Sequence, residues 1–320
     1  MLELSNNKAS MARACWAKYK FYAIDGLKPI RRERALTLGE VVHSAFDQLY
    51  SGKKPNTILS NISDSYDTMI KLAEQSEMED LIIDKLTALG MVEFYPLALS
   101  NFESMESEVE FNVPLGWGLK LIGRIDGKVK QSGKRWVREI KTTSVSLKQF
   151  EGRARCSYQA SGYKFAAEKS GEKYEGVMFD YLRKPKLYKR DTDNAESFGK
   201  RIYEDYSKTR TDEAKRNSYF GRVYVYRNDY EMECFLGDMR SIGKEIRRRT
   251  NLYSKGKPCS DCFPRNPDAC FLFNRPCEYA VICWKKDVPR DLVEAYFVRR
   301  SDEKKATETI VNGEEDNGTA

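Results

Sequence analysis

The chain has 320 residues, 41% of them hydrophobic, with 32% charged residues and a formal net charge of +7. That is enough apolar material for one large core, and the mild basic excess suits an anionic partner such as nucleic acid. No run of about 18 apolar residues occurs, which argues against a transmembrane helix, and MLELSNNKASMARACW lacks the apolar centre of a signal peptide. A cytoplasmic location follows as the expectation, so the eight cysteines call for a use other than disulfides.

Residues 1–14 form a leading segment. CWAKYKFYAIDGLKPI, residues 15–30, reads as a short aromatic helix stopped by Gly and Pro. In TLGEVVHSAFDQLYSG, the positions Val42, Ala45, Phe46 and Leu49 recur at helical spacing. Residues 59–100 keep that period and predict an added region of two or three helices. From 106 to 143 the period changes to two, which predicts three strands of an antiparallel meander. A helix is expected over 147–169, strands in EGVMFDYLRKP and SYFGRVYVYRND, and a long helix in NDYEMECFLGDMRSIGKEIRRRT. Residues 259–284 hold five of the cysteines. The acidic tail, 299–320, has little to bury and is expected to be disordered. This order predicts an α/β core with added helices, and nothing marks a linker.

The hairpin GRIDGKVKQSGKRWVREIKTT turns at Ser132-Gly133, which sets Lys128 against Val137 and Asp126 against Glu139. Like charges directly opposite destabilise a sheet, so this pair calls for a cation. Lys141, two residues from Glu139 and on its face, is one partner; a hard divalent ion such as Mg²⁺ or Mn²⁺ is the better one. The bland alternative stays open, since Asp-Gly is a common turn pair and Glu-Ile-Lys an ordinary strand. His43, the single histidine, lies on the shoulder of its helix's apolar stripe, where core residue and metal ligand are both open readings. Gly39, one turn earlier, would allow close packing. Gln159 and Tyr163 are four apart and share a helix face, either as a surface patch or as a phosphate or base contact. Arg124, Lys128, Arg153, Arg155 and Tyr158 are further candidates for nucleic-acid contact, or a solvated face.

The clustered cysteines admit two readings. Cys259-x-x-Cys262 is a single zinc-type pair, while the wider spacing of Cys270, Cys277 and Cys283 also suits an iron–sulfur cluster. Cys156 and Cys234 are expected to be ordinary buried thiols.

Gly39-x-x-x-His43, Gly-Arg-Ile-Asp126-Gly, Glu139-Ile-Lys141 and Gln159-x-x-x-Tyr163 occur in that order. Together they resemble the PD-(D/E)XK nuclease superfamily in its RecB-like branch, over roughly residues 15 to 285. The resemblance implies a restriction-endonuclease-like core, a mixed central sheet flanked by helices, within one nuclease domain over 15–298. It implies a Mg²⁺ or Mn²⁺ ion held by His43, Asp126, Glu139 and the carbonyl of Ile140. Lys141 would orient or activate the attacking water, and Gln159 and Tyr163 would help position DNA. AddB-like and CRISPR-associated relatives imply a 4Fe-4S cluster, here on Cys15, Cys270, Cys277 and Cys283. The usual ligand two residues before the penultimate cysteine is replaced by Asn274, a departure, which makes Cys270 the nearest substitute with Cys259 or Cys262 behind it. The implied activity is DNA cleavage, as an exonuclease on single-stranded or end-exposed DNA in bacterial or phage recombination, repair or replication. The rivals are a non-catalytic DNA-binding protein on this scaffold and a zinc-stabilised module. No helicase P-loop appears, so a motor would be a separate partner.

Overall fold

Short-range chemistry starts and stops most elements of this chain. The computed structural model describes residues 1–30, 34–96, 102–272 and 275–300. Strand β1 (Leu2–Leu4) leads into helix α1 (Asn6–Ala14), whose first turn is capped by the Ser5 hydroxyl accepting from the Lys8 N–H. A short α2 (Trp16–Tyr19) widens into a π-turn over Lys20–Ile24; Gly26, at φ +67°, then turns the chain into β2 (Leu27–Pro29). Three helices follow, α3 (Arg34–Tyr50), α4 (Pro55–Leu72) and α5 (Gln75–Glu93). The meander is β3 (Ser104–Gly116), β4 (Leu119–Gln131) and β5 (Lys134–Thr143).

The helix expected over 147–169 is two helices, α6 (Leu147–Arg155) and α7 (Tyr158–Glu168). Ser157 is the reason: its hydroxyl accepts from the Gln159 N–H and caps a new start. Strand β6 (Gly176–Arg183) precedes two helices that the apolar spacing did not announce, α8 (Ala195–Ser207) and α9 (Glu213–Tyr219), capped by Asn194 and Asp212. After β7 (Phe220–Tyr226) comes the long α10 (Asp229–Ser254). The cysteine-rich stretch holds α11 (Cys259–Cys262), the tiny hairpin β8 (Phe271–Leu272) and β9 (Arg275–Pro276), and α12 (Ala280–Cys283). Last come α13 (Arg290–Tyr296) and β10 (Phe297–Arg299). Arg299, expected to open the tail, instead closes a strand that pairs with Leu27 of β2. Residues 301–320 of the expected tail, 97–100 of the expected helical region and Asn274 lie outside the described residues.

The central sheet runs β1-β4-β5-β6-β7, with β3 also on β4. It is mixed: β4–β5 and β6–β7 are antiparallel and β5–β6 is parallel. The hairpin register is the one read from sequence, Lys128 against Val137 and Lys130 against Arg135.

By contacts the chain divides into two compact units. One comprises Met1–Arg32, Pro114–Lys120 and the chain from Leu236 onward; the other comprises Glu33–Val113 and Leu121–Phe235. In the second unit α3, α4, α5 and α8 bury Val42, Phe46, Ile62, Met91 and Ile202 on one side, together with Ile140 and Leu182 of the sheet. Helices α6 and α7 bury Phe150, Ala160 and Tyr163 with Val137, Phe179 and Val223. Among the described residues no helix is long and apolar enough to cross a membrane.

Candidate active site

Four motif segments of the second unit converge at one end of the β4–β5 hairpin. The ladder stops at Gly127 against Arg138, one pair short of the expected Asp126–Glu139 pairing. One step on, the Asp126 carboxylate accepts the backbone N–H of Ile140 at 2.9 Å. Parting there relieves two like charges that would otherwise stand face to face.

Helix α3 delivers His43 from the shoulder of its apolar stripe. Its Nδ1 lies 3.1 Å from Asp126 Oδ2. Gly39 is less demanding than expected, since a Cβ there would meet Thr142 Oγ1 at an ordinary 3.7 Å. Glu139 is 2% exposed. Its Oε1 accepts from Lys141 Nζ at 2.5 Å and from Gln159 Nε2 at 2.8 Å. Gln159 Nε2 also reaches Tyr163 Oη at 2.8 Å. Both α7 motif residues thus bear on Glu139, which the surface-patch reading does not explain.

Electrostatics follow from this crowding. Burial pushes the Glu139 carboxyl up to about 7, against the pull of Lys141 and with the Asp126 charge adding to it. Burial also acts on Asp126, but the His43 hydrogen bond and charge outweigh it and hold that carboxyl below its usual value. For His43 and Lys141, burial favours the neutral form; Asp126 and Glu139 respectively win, and both cations are held above their ordinary values.

Among the described residues, no three His, Cys, Asp or Glu side chains stand as a finished ion cage. The site's acids are instead paired with its own cations. The donor set nonetheless fits a hard divalent ion on one direct observation: Glu139 Oε2 is buried and has no hydrogen-bond partner. A buried carboxylate oxygen left in this way is costly unless a cation meets it.

Two residues escaped the sequence reading. Asp47, one turn after His43 on α3, hydrogen-bonds Glu108, which also pairs with Arg124. Burial raises the Asp47 carboxyl to about 6, with Glu108 reinforcing the shift. The i,i+4 spacing from His43 was the available signal. Glu108 adopts φ +52°, a left-handed kink that alternation in β3 cannot reveal. Of the other basic candidates, Lys128 and Arg155 are engaged by Glu106 and Glu151. Tyr158 packs edge-on against Phe235.

In the first unit, the Cys15 thiol accepts the Asn266 N–H at 3.4 Å, and the Cys270 thiol lies 3.6 Å from the Asn266 carbonyl. Burial raises the Cys283 thiol's pKa, and the charges of Cys15 and Cys270 bear on it too. The Cys277 N–H donates to the Cys270 carbonyl at 2.8 Å, while burial pushes the Cys277 thiol up to about 11 and that thiol meets Glu278. Cys259 and Cys283 line one cavity of about 230 Å³ with Lys20, Phe21 and Arg265. Cys156 and Cys234, expected inside, are both exposed. Cys156 ends α6 at the α6–α7 break, and Cys234 lies off the buried stripe of α10 marked by Phe235 and Met239.

The sequence profile of the PD-(D/E)XK nuclease superfamily matches residues 3–283. No curated protein matches the chain.

Proposed function

The chain belongs to the PD-(D/E)XK nuclease superfamily, and on that premise we propose a metal-dependent DNA exonuclease of the RecB-like kind, with residues 15–298 as one functional domain. Its restriction-endonuclease-like sheet and its family make it a nuclease; the substrate form and the residue roles are our reading. The observation that carries the reading is the split environment of Glu139. One oxygen is pinned by Lys141 and Gln159 while the other is buried and unpartnered.

His43, Asp126, Glu139 and the Ile140 carbonyl are the residues that would hold Mg²⁺ or Mn²⁺. A bound divalent ion supplies charge neutralisation at the phosphoryl oxygens and favours ionisation of the attacking water. The remaining work falls to the chain. Water attacks phosphorus and gives up a proton to solvent, the bond to the leaving sugar oxygen breaks, and that oxygen takes up a proton from solvent. The Lys141 ammonium, fixed on Glu139, stands where it orients the water and balances charge developing on the phosphate. The Ile140 N–H keeps Asp126 turned inward. Gln159 holds Glu139 Oε1 and ties it to Tyr163, so the free oxygen keeps its aim. Single-stranded or end-exposed DNA is the proposed substrate, with any helicase or recombination protein a separate partner.

The meeting of Cys15 and Cys270 at Asn266, and the charges of both bearing on Cys283, are what support a 4Fe-4S cluster with Cys277 as fourth ligand. Cys277 must turn from Glu278 to join it. Metal analysis and visible absorption of anaerobically purified protein decide between iron and zinc; zinc without iron would overturn the cluster.

The activity test is digestion of end-labelled single-stranded, duplex and closed circular DNA with Mg²⁺, Mn²⁺ or chelator. Cleavage of linear DNA that needs the ion and is lost in Glu139→Gln is expected, with circles spared. Cleavage that persists in Glu139→Gln would overturn the site.

A further inference from the structure

In the first unit, the turn between β3 and β4 reads Gly116-Trp117-Gly118. All three residues have positive φ, +86°, +55° and +71°. For the two glycines this costs little. For a tryptophan it is an outlier, because Cβ crowds the backbone in the left-handed region. Such a conformation persists only where surroundings impose it.

The surroundings are three cations on one face of α10, at i, i+4 and i+7. Arg247 donates to the carbonyls of Trp117 at 3.2 Å and Gly118 at 3.1 Å. Arg240 donates to the Leu115 carbonyl at 2.7 Å. Lys244 Nζ lies 3.5 Å from the centre of the indole ring. Gly243 lets the helix come this close, since a Cβ there would stand 2.7 Å from Leu119 Cδ1. The result is an indole held away from any core, 59% exposed, amid positive charge. A lone surface tryptophan needs no explanation. One kept in a disfavoured backbone by two arginines, with a lysine over one ring face, is a constructed platform.

We propose that Trp117 is a stacking platform for single-stranded DNA, with Arg240, Lys244 and Arg247 holding the flanking phosphates. An unpaired base presents a flat π-face that can stack on the exposed indole, beside Lys244 and the Arg240 guanidinium 5.8 Å from the ring centre, and its backbone matches the cations in charge. A duplex hides its base faces and cannot use the ring. The choice of DNA as ligand rests on the nuclease reading; the platform itself does not use the catalytic residues.

The test is binding of labelled oligo(dT), and of a matched duplex, to the full chain in chelator across a salt series. Trp117→Gly suits the backbone, because glycine takes φ +55° freely, so the variant is expected to melt like wild type. It is expected to weaken oligo(dT) binding roughly 5- to 100-fold, while duplex binding changes by less than about twofold. Trp117→Phe should retain most of the affinity. Lys244→Gln should lower the slope of log affinity against log salt by about 0.7. Unchanged oligo(dT) affinity in Trp117→Gly, or equal loss on duplex, overturns the proposal. Because no divalent ion is present, this failure leaves the catalytic reading standing, and an inactive enzyme that still binds through Trp117 leaves the platform standing.

Discussion

Asp180→Ala should lower the melting temperature far more than any surface change. Asp180 sits on β6 with no exposure, between two arginines. Its Oδ2 accepts from Arg138 Nε at 2.6 Å and its Oδ1 from Arg222 Nε at 2.6 Å. Arg138 is itself fully buried, and its two terminal nitrogens have no hydrogen-bond partner. Its guanidinium lies 4.2 Å from the centre of the Tyr50 ring. Removing the carboxylate leaves two buried guanidinium groups facing each other across a hole. Breaking a buried ion pair in this way costs about 3–5 kcal/mol. At about 2–4 °C per kcal/mol for a domain of this size, the melting temperature falls by roughly 6–20 °C. Phe46 and Tyr50 follow His43 on α3, so the same loss loosens the seat of His43. The assay is thermal and urea denaturation of the metal-free protein. A triple change, Asp180→Leu with Arg138→Met and Arg222→Met, should recover most of the loss, because the cost lies in orphaned charge rather than in the worth of the network. A drop under about 3 °C for Asp180→Ala would refute the reasoning.

Gln159→Leu leaves Lys141 as the donor to Glu139 Oε1 and cuts the tie to Tyr163, and should raise the divalent-ion concentration needed for half-maximal cleavage by roughly 10–100-fold, read by metal titration with folding checked by circular dichroism. Gly176→Ala should cost at least about 2 kcal/mol, because its Cβ would sit 2.2 Å from the Val225 carbonyl oxygen, backbone that can yield only by parting β6 from β7. Gly171→Ala is a poor control for it, since φ +89° there strains any side chain; Gly152→Ala, inside α6 with open space around its Cβ, should melt at or slightly above wild type because Ala favours the helix by about 0.5–1 kcal/mol. Asp47 is held above its usual value by burial and Glu108, so the folded state keeps a proton that the unfolded chain releases. The stability this contributes is present below the unfolded pKa of about 4 and is lost as pH rises through about 6. Relative to Asp47→Asn, the metal-free wild type should therefore lose melting temperature between those pH values and hold a constant gap above them. A gap that does not change with pH would contradict this.

Local pattern reached far into this site. Alternation in 106–143 and the Ser132-Gly133 turn predicted the register that the hairpin adopts, because side-chain direction repeats every two residues and a tight turn leaves few alternatives. The stripe of Val42, Ala45, Phe46 and Leu49 likewise placed His43 on a shoulder, where the structure has it half-buried beside Asp126. Pattern went wrong where a single cap overrides a period, as Ser157 does between α6 and α7. It was silent where charged residues dominate, as in α8 and α9.

What the amino-acid order determined by itself was which residues share a face and in what sequence the motif segments arrive, since those depend on repeats of two and 3.6 residues. Tertiary structure decided the rest. It stripped Glu139 of water, left one of its oxygens without a partner, sent Asp126 to the Ile140 N–H and turned Cys156 and Cys234 outward. It also drew β10 back to β2, and held Trp117 in a backbone it would not choose. Those outcomes depend on solvent exclusion and on neighbours far away in the chain, and no local period carries that information.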